Sequence, residues 1–154
     1  PKITIGRVQG KAVGGGVGLA AATDYCMATT HSEIKLSELT IGIGPFVIEP
    51  AVTRKIGLSA MSQLSLEAST FFSAQWAQEK GLFMKVCPSV GALDTEVKAL
   101  AEQLCAYNPE ALLKLKETFW EGTEHWGELL NERASISGRL VLSDFTKTQL
   151  KKYK

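Results

Sequence analysis

A run of glycines between a strand-like segment and a helix-like segment constrains this chain more than any other feature. Val13-Gly14-Gly15-Gly16-Val17-Gly18 follows an apolar stretch rich in isoleucine and valine, and it precedes the helix-forming Leu19-Ala20-Ala21-Ala22. A helix that begins in glycines exposes bare backbone N–H groups, and both these donors and the helix dipole attract negative charge. The turn therefore indicates a site that holds a phosphate, a site that stabilises a developing oxyanion, or a tight turn that needs the positive φ of glycine.

The spacing of the glycines argues against phosphate binding. A P-loop ends in a lysine followed by serine or threonine, and no such pair closes this turn. The dinucleotide fingerprint requires a small residue three positions after Gly16, where Leu19 stands instead. Two interpretations of the turn therefore remain: an oxyanion site and a purely structural turn.

Composition indicates a soluble globular protein with one core. With 45% hydrophobic and 21% charged residues, 154 residues can bury a single ordinary core. The formal net charge of +1 gives no reason to expect nucleic acid as a partner, and no apolar stretch is long enough to predict a membrane span. The three cysteines are widely spaced, which predicts buried free thiols. Since no signal peptide is visible either, we expect a cytoplasmic location.

Strand-like and helix-like segments alternate early in the chain and then give way to helices. Ser73 is predicted to cap a short helix that Gly81 ends. After residue 90, apolar residues recur at helical spacing, and a third helix of this region is expected to run from about Trp126 to about Leu142. The pattern predicts an α/β body over residues 1–90 and a helical region over residues 91–154.

Ordered motifs along nearly the whole chain carry a family resemblance. They are Lys2-Ile3-Thr4-Ile5 leading into the glycine run, Asp24-Tyr25-Cys26-Met27-Ala28, Leu36-Ser37-Glu38-Leu39, Arg54-Lys55-Ile56-Gly57, and Ser73-Ala74-Gln75-Trp76-Ala77 with Gly81-Leu82. In this set and order the chain resembles the crotonase family, the enoyl-CoA hydratase/isomerase group. The resemblance implies a partial crotonase-like ββα superhelix whose N-terminal part is absent. A helical C-terminal region is expected to follow and to join subunits into a homotrimer or hexamer.

The resemblance also implies an enzyme that binds an acyl-CoA thioester. Coenzyme A enters as part of the substrate, and no separate cofactor or metal is expected. The N–H of Gly15 is implied as one of two donors that stabilise an enolate-like intermediate, the other belonging to the absent part. Gly14, Gly16, Gly18 and Phe46 are expected to line the substrate site. The oxyanion hypothesis and the chemistry of the family thus point to the same backbone group.

The acid/base residues depart from the hydratase pattern of the family. Hydratases carry one glutamate just after the glycines and a second further along, and here the first position is Gly18 and the second is Glu38. Glu38 is therefore the implied acid/base, with a solvent-facing loop glutamate as the alternative. A lone glutamate at this position resembles Δ3,Δ2-enoyl-CoA isomerases, while hydration stays open. Phe46 and Ile48 stand where hydratases of the family carry a glycine-rich turn, and they make this wall apolar and bulkier. The segment resembles that of hydratases for branched unsaturated acyl-CoAs, which leaves a branched or bulky acyl group open. Gly18→Glu is expected to shift the balance towards hydration if the apolar wall at Phe46 still admits a water.

Other interpretations remain open. Glu49 is either a substitute acid or a helix N-terminal glutamate favoured by the dipole. A serine protease of the related Clp type needs a serine on the turn and an oriented histidine, and nothing visible orients His31. Trp76, Trp120 and Trp126 are expected to be packing residues. The alternative function is a non-catalytic CoA-binding or structural and interaction fragment, because half of the site belongs to the absent part.

Overall fold

The computed structural model describes residues 2–153, in which strands alternate with helices before a helical region. The elements are β1 (Ile5–Val8), β2 (Lys11–Val13), α1 (Gly15–Ala21), β3 (Tyr25–Thr29), β4 (Glu33–Lys35), α2 (Glu49–Leu66), β5 (Phe72–Ser73), α3 (Ala74–Glu79), β6 (Lys85–Cys87), α4 (Val90–Cys105), α5 (Pro109–Phe119), α6 (Trp126–Val141) and α7 (Asp144–Leu150). Short 3₁₀ helices span Glu38–Ile41 and Lys151–Tyr153. Within these residues, no helix combines the length and apolarity that a membrane crossing requires.

The strands form two small sheets, and successive turns of the chain add to both. β1, β3 and β6 lie side by side in parallel, with Gly6 opposite Cys26 and Ala28 opposite Val86. In the second sheet β2 pairs with β4 in parallel, and β5 pairs with β4 in the antiparallel sense. Because β1–β2–α1 is followed by β3–β4–α2, each ββα unit stacks on the preceding one.

The main core lies where α1, α2 and α3 pack on the two sheets. Its largest fully buried side chains are Phe83, Ile34, Leu36, Leu64 and Leu82. Burying an apolar side chain of this size stabilises the fold by roughly 1.5–3 kcal/mol. The contacts of these residues come from segments far apart in sequence, so the core holds the glycine turn against the β4 strand and the loop that follows it.

The first helix of the helical region packs on a sheet. Leu93 of α4 is fully buried and forms a second cluster with Met27 of β3 and Cys87 of β6. An ion pair between Lys85 and Glu96 also joins α4 to the sheet. α4 thus packs directly on the sheet of the α/β body. The predicted division of the chain at residue 90 stays a prediction.

Local signals set the helix ends. Ser73 Oγ accepts a hydrogen bond from the Trp76 N–H at 3.1 Å, which confirms it as the cap of α3. Gly81, with φ of 87°, follows α3 in the left-handed conformation expected there. Gly57, with φ of 75°, interrupts α2, so α2 consists of two helical segments joined at a kink.

α6 (Trp126–Val141) confirms the predicted third helix. A further helix, α7, follows it and is capped by Ser143, whose side chain accepts from the Thr146 N–H. The predicted burial of all three cysteines is wrong for one of them: Cys105 is exposed because it is the last residue of α4, whereas Cys26 and Cys87 are buried.

A buried carboxylate fastens α5 to the body. Lys116 Nζ lies 2.6 Å from Asp24 Oδ2, and Trp120 Nε1 donates to Asp24 Oδ1 at 2.8 Å. The backbone N–H of Thr4 donates to the same carboxylate at 2.7 Å. Burial by itself raises the pKa of Asp24, but the hydrogen bonds from Lys116, Trp120 and Thr4 outweigh it and leave the pKa below its ordinary value. This contact orients the end of α5, where Trp120 lies.

Candidate active site

The glycine turn presents backbone donors at the start of α1. Gly14 has φ of 54° and ψ of −117°, a conformation that favours glycine, and its N–H donates to the Lys35 carbonyl at 2.9 Å. The Gly14 carbonyl in turn accepts from the Val17 N–H at 2.9 Å. Over residues 2–153, neither the N–H of Gly15 nor that of Gly16 donates to a protein acceptor. These two groups are therefore available to a bound molecule.

The carboxyl group of Glu38 lies directly against this turn. A Cβ built on Gly14 would lie 2.7 Å from Glu38 Oε1, so the absence of a side chain lets the carboxyl approach. Glu38 Oε2 is buried and has no hydrogen-bond partner within the described part of the chain. Burial raises the pKa of this carboxyl above its ordinary value, opposed in part by a hydrogen bond from its own backbone. Such a group is suited to exchanging a proton with a bound molecule.

Gly18 has no room for a side chain. A Cβ built on it would lie 2.4 Å from Ile48 Cγ2 and 2.7 Å from Ile48 Cβ. Real carbon atoms do not approach so closely, so Ile48 occupies the space that the stem of a glutamate needs. The expectation for Gly18→Glu must therefore be corrected: that substitution by itself does not fit.

An apolar cavity of about 250 Å³ opens beside Gly15 and Gly18. Ile48, at the start of α2, lines one part of it, and Trp120 and Trp126 line another. The two indole rings meet edge to face, with centroids 5.8 Å apart and planes at 80°. Among the described residues that line the cavity, none is charged. The cavity can therefore accommodate an uncharged, apolar group next to the glycine turn.

Phe46 lies outside this cavity. Its ring covers Gly44, where a Cβ would come within 2.5 Å of Phe46 Cζ, and it lines a separate groove with Leu58 and Met61 of α2. The predicted substrate contact of Phe46 stays a prediction. The apolar wall beside Gly18 consists of Ile48 instead.

Glu49 is held in a structural ion pair. Its carboxylate accepts from Arg133 Nη1 at 2.8 Å and from Thr53 Oγ1 at 2.7 Å. Glu49 is also the first residue of α2, where the helix dipole favours a negative charge. These contacts join α6 to the start of α2 and favour the structural interpretation of Glu49 over that of a second acid.

Trp120 and Trp126 line the cavity beside Gly15, whereas the sequence predicts only packing roles for them. Tryptophans on predicted helices are usually buried between elements, which is the reason for that expectation. The single sequence signal for a site role is their position on either side of the short connection between α5 and α6. Only the folded chain shows that this connection passes beside Gly15.

Comparison with known proteins decides the family. A sequence profile described as enoyl-CoA hydratase/isomerase matches residues 1–151 of the chain. The chain belongs to the enoyl-CoA hydratase/isomerase family. Among its curated relatives, the bacillaene synthase dehydratase of Bacillus subtilis is 30% identical over 131 residues, which cover 85% of this chain and 45% of the relative. The 2,3-dehydroadipyl-CoA hydratase of Escherichia coli is 32% identical over 124 residues, or 80% of this chain and 48% of the relative.

Solved structures support the same crotonase-like α/β fold. An enoyl-CoA hydratase from Bacillus halodurans superposes with a TM-score of 0.87 at 23% identity, covering 98% of this chain and 61% of that one. An enoyl-CoA hydratase from Mycobacterium avium subsp. paratuberculosis gives 0.84 at 22% identity, covering 95% and 62%. The chain spans somewhat less than half the length of the curated relatives named above.

Proposed function

We propose that this chain carries the reaction centre of an acyl-CoA enzyme, with Gly15 as an oxyanion donor and Glu38 as the acid/base. The observation that carries the proposal is the Glu38 carboxyl, which lies against Gly14 with one buried oxygen unpartnered among the described residues, beside two available backbone donors. Membership of the enoyl-CoA hydratase/isomerase family supports an acyl-CoA thioester as the substrate class. A carboxyl and N–H donors at one place are what proton transfer next to a thioester needs.

The backbone donors act on the thioester carbonyl. When a proton leaves the carbon next to the thioester, negative charge moves to the carbonyl oxygen as an enolate. The N–H of Gly15, fixed at the start of α1, stabilises that charge as one of two donors. Loss of a single donor of this kind typically costs about 10²–10³ in rate. Gly14 and Gly16 keep the approach to the donor free of side chains.

Glu38 acting alone favours isomerisation over hydration. Its carboxylate removes a proton from C2 of a 3-enoyl thioester, the dienolate forms, and the same proton returns to C4, so the double bond moves to C2–C3 without gain or loss of atoms. Hydration calls for a second group that handles water. Neither nearby position supplies that group, because Ile48 fills the space that a side chain at Gly18 would need and the Glu49 carboxylate is paired with Arg133. The raised pKa of Glu38 suits a group that must give the proton back.

The test is Glu38→Gln in the protein at its native length. The amide keeps the shape of the side chain and removes the base, so turnover should fall by roughly 10²–10⁴ with little change in substrate affinity. Glu67→Gln, an exposed carboxylate on the far end of α2, is the matched control and should leave turnover unchanged. Turnover of Glu38→Gln within about threefold of the parent rules out the single-base mechanism.

The reaction preference is measured on the same protein. A Δ3-enoyl-CoA should be converted to its Δ2 isomer faster than a Δ2-enoyl-CoA is hydrated. The absorbance of the conjugated thioester measures both rates. Faster hydration contradicts the assignment of isomerisation while leaving Glu38 in place as the acid/base.

A non-catalytic CoA-binding or interaction fragment is the alternative, and the family match does not favour it. Intact mass measured beside turnover separates the two. A sample with only the 16.7 kDa chain should bind acyl-CoA weakly and turn it over negligibly, because the family resemblance implies a second oxyanion donor, besides Gly15, from another part of the protein. Robust turnover from that species contradicts this expectation.

Assembly as a homotrimer or hexamer and a cytoplasmic location are further proposals from the family resemblance. Leu142 and Phe145, beside and within α7, are exposed apolar side chains that an assembly would bury. Light scattering of the native-length protein should give three or six subunits, and a stable monomer contradicts the assembly.

A further inference from the structure

The cavity beside Gly15 has an apolar lining and lies next to the proposed oxyanion donor, and both features indicate what it binds. We propose that it receives the apolar end of the acyl group, and that Trp120 and Trp126 limit the length of the acyl chain and exclude acyl groups that end in a charge. The proposal rests on the function proposed above, because it takes Gly15 as the group that holds the thioester carbonyl. It adds the substrate class and two specificity-determining residues.

The cavity lies where the acyl chain of a bound thioester would extend. Gly15 contributes both the N–H donor and part of the cavity lining, so an acyl chain bound through its carbonyl starts at the opening. Gly18 and Ile48 lie further along the lining and are in contact with each other, which closes that part of the wall. The two indole rings and Leu130 of α6 line another side of the cavity, and the small Ala22 lies at its edge.

Trp120 is a rigid part of this boundary. Its Nε1, the one polar side-chain atom, donates to Asp24 at 2.8 Å and is not available to a ligand. The guanidinium of Arg54 lies 4.9 Å from the ring centroid and Lys116 Nζ lies 4.8 Å from it, so the ring is fixed by cation–π contacts as well. Trp126 then rests edge-on against a ring that cannot rotate freely.

The lining determines the chemistry that fits. A carboxylate at the end of an acyl group would lose its hydration in this cavity and gain no ionic or hydrogen-bonding partner from the described lining residues, which is costly. An apolar cavity of about 150 Å³ holds one benzene. A cavity of about 250 Å³ therefore suits an apolar group on the order of ten carbon atoms.

The experiment compares dissociation constants for a series of saturated acyl-CoAs of increasing length and one ω-carboxyacyl-CoA, using the native-length Glu38→Gln protein. We expect affinity to rise roughly fourfold per methylene up to a limit, and the ω-carboxylate to bind at least tenfold more weakly than its uncharged counterpart. Trp126→Ala should move the limit to longer chains and raise the long-to-short affinity ratio at least tenfold. Ala22→Leu, at the cavity edge, should move the limit to shorter chains even if the tryptophan variant fails to fold.

The control is Trp76→Phe, because this tryptophan packs against Phe72 and lies outside the cavity. It should leave the chain-length limit unchanged. Binding with the same limit in Trp126→Ala and Ala22→Leu, or equal affinity for the ω-carboxylate, overturns the cavity assignment and leaves the acyl-CoA function standing. Failure to bind any acyl-CoA overturns both.

Discussion

Gly18→Ala tests whether the contact between α1 and Ile48 is as close as the structure has it. The added Cβ would lie 2.4 Å from Ile48 Cγ2, more than 1 Å inside an ordinary contact distance, so Ile48 or α1 must move. Overpacking of this kind costs about 1–3 kcal/mol. Alanine also favours a helix interior over glycine by up to about 1 kcal/mol, which partly offsets the cost.

Gly16→Ala separates these two effects. Gly16 lies in the same helix without a positive φ, and a Cβ there would meet the Ala12 Cβ at an ordinary 3.6 Å. Both variants gain helix propensity, but only Gly18→Ala meets a close neighbour. The free energy of unfolding of Gly18→Ala should therefore be lower than that of Gly16→Ala by about 1–3 kcal/mol.

Urea unfolding followed by circular dichroism measures this difference, with unchanged m-values as the check that both variants unfold in the same way. Adding Ile48→Gly should restore part of the loss, since the nearest remaining atom to the new Cβ is then Ile48 Cα at 3.7 Å. A double-mutant cycle should give a favourable coupling of about 1–3 kcal/mol. Equal stability of the two alanine variants, or zero coupling to Ile48, refutes the steric argument and with it the explanation for the missing second carboxylate.

The remaining predictions concern charge and thiol chemistry. Because burial raises the pKa of Glu38 in the folded state, the native protein holds more protons than the unfolded chain between the two pKa values, and stability falls as pH rises through that window. Chemical unfolding at several pH values should show Glu38→Gln gaining stability over the parent above the window and matching it at acid pH; a constant difference contradicts this. Asp24→Asn leaves Lys116 without its buried partner and should cost about 3 kcal/mol in unfolding free energy, and a loss below about 1 kcal/mol argues against the anchoring role of Asp24. A thiol reagent should modify the exposed Cys105 in the native protein far faster than the buried Cys26 and Cys87. Burial also raises the pKa of the Cys26 thiol to about 11, which lowers its reactivity further. Equal rates for the three thiols contradict this.

Local chemistry, which the sequence contains in full, determined the helix ends and the glycine turn. Ser73 as a helix cap and Gly81 as a helix end depend on neighbours within a few residues, so both can be predicted from the sequence by itself. The glycine turn belongs to the same class, since the conformation of Gly14 is one that glycine adopts most easily. The order and spacing of the family motifs along the chain also singled out Glu38 as the candidate carboxyl.

Tertiary structure alone decided what surrounds that turn. The contact between Gly18 and Ile48, and the position of Phe46 over Gly44 and not in the cavity, depend on how a loop folds between two helices. Trp120 reaches the cavity because Asp24, almost a hundred residues earlier, accepts its N–H at 2.8 Å. Periodicity and capping describe contacts within about one helical turn, whereas these contacts join segments far apart in the chain, and their geometry exists only when the core has packed.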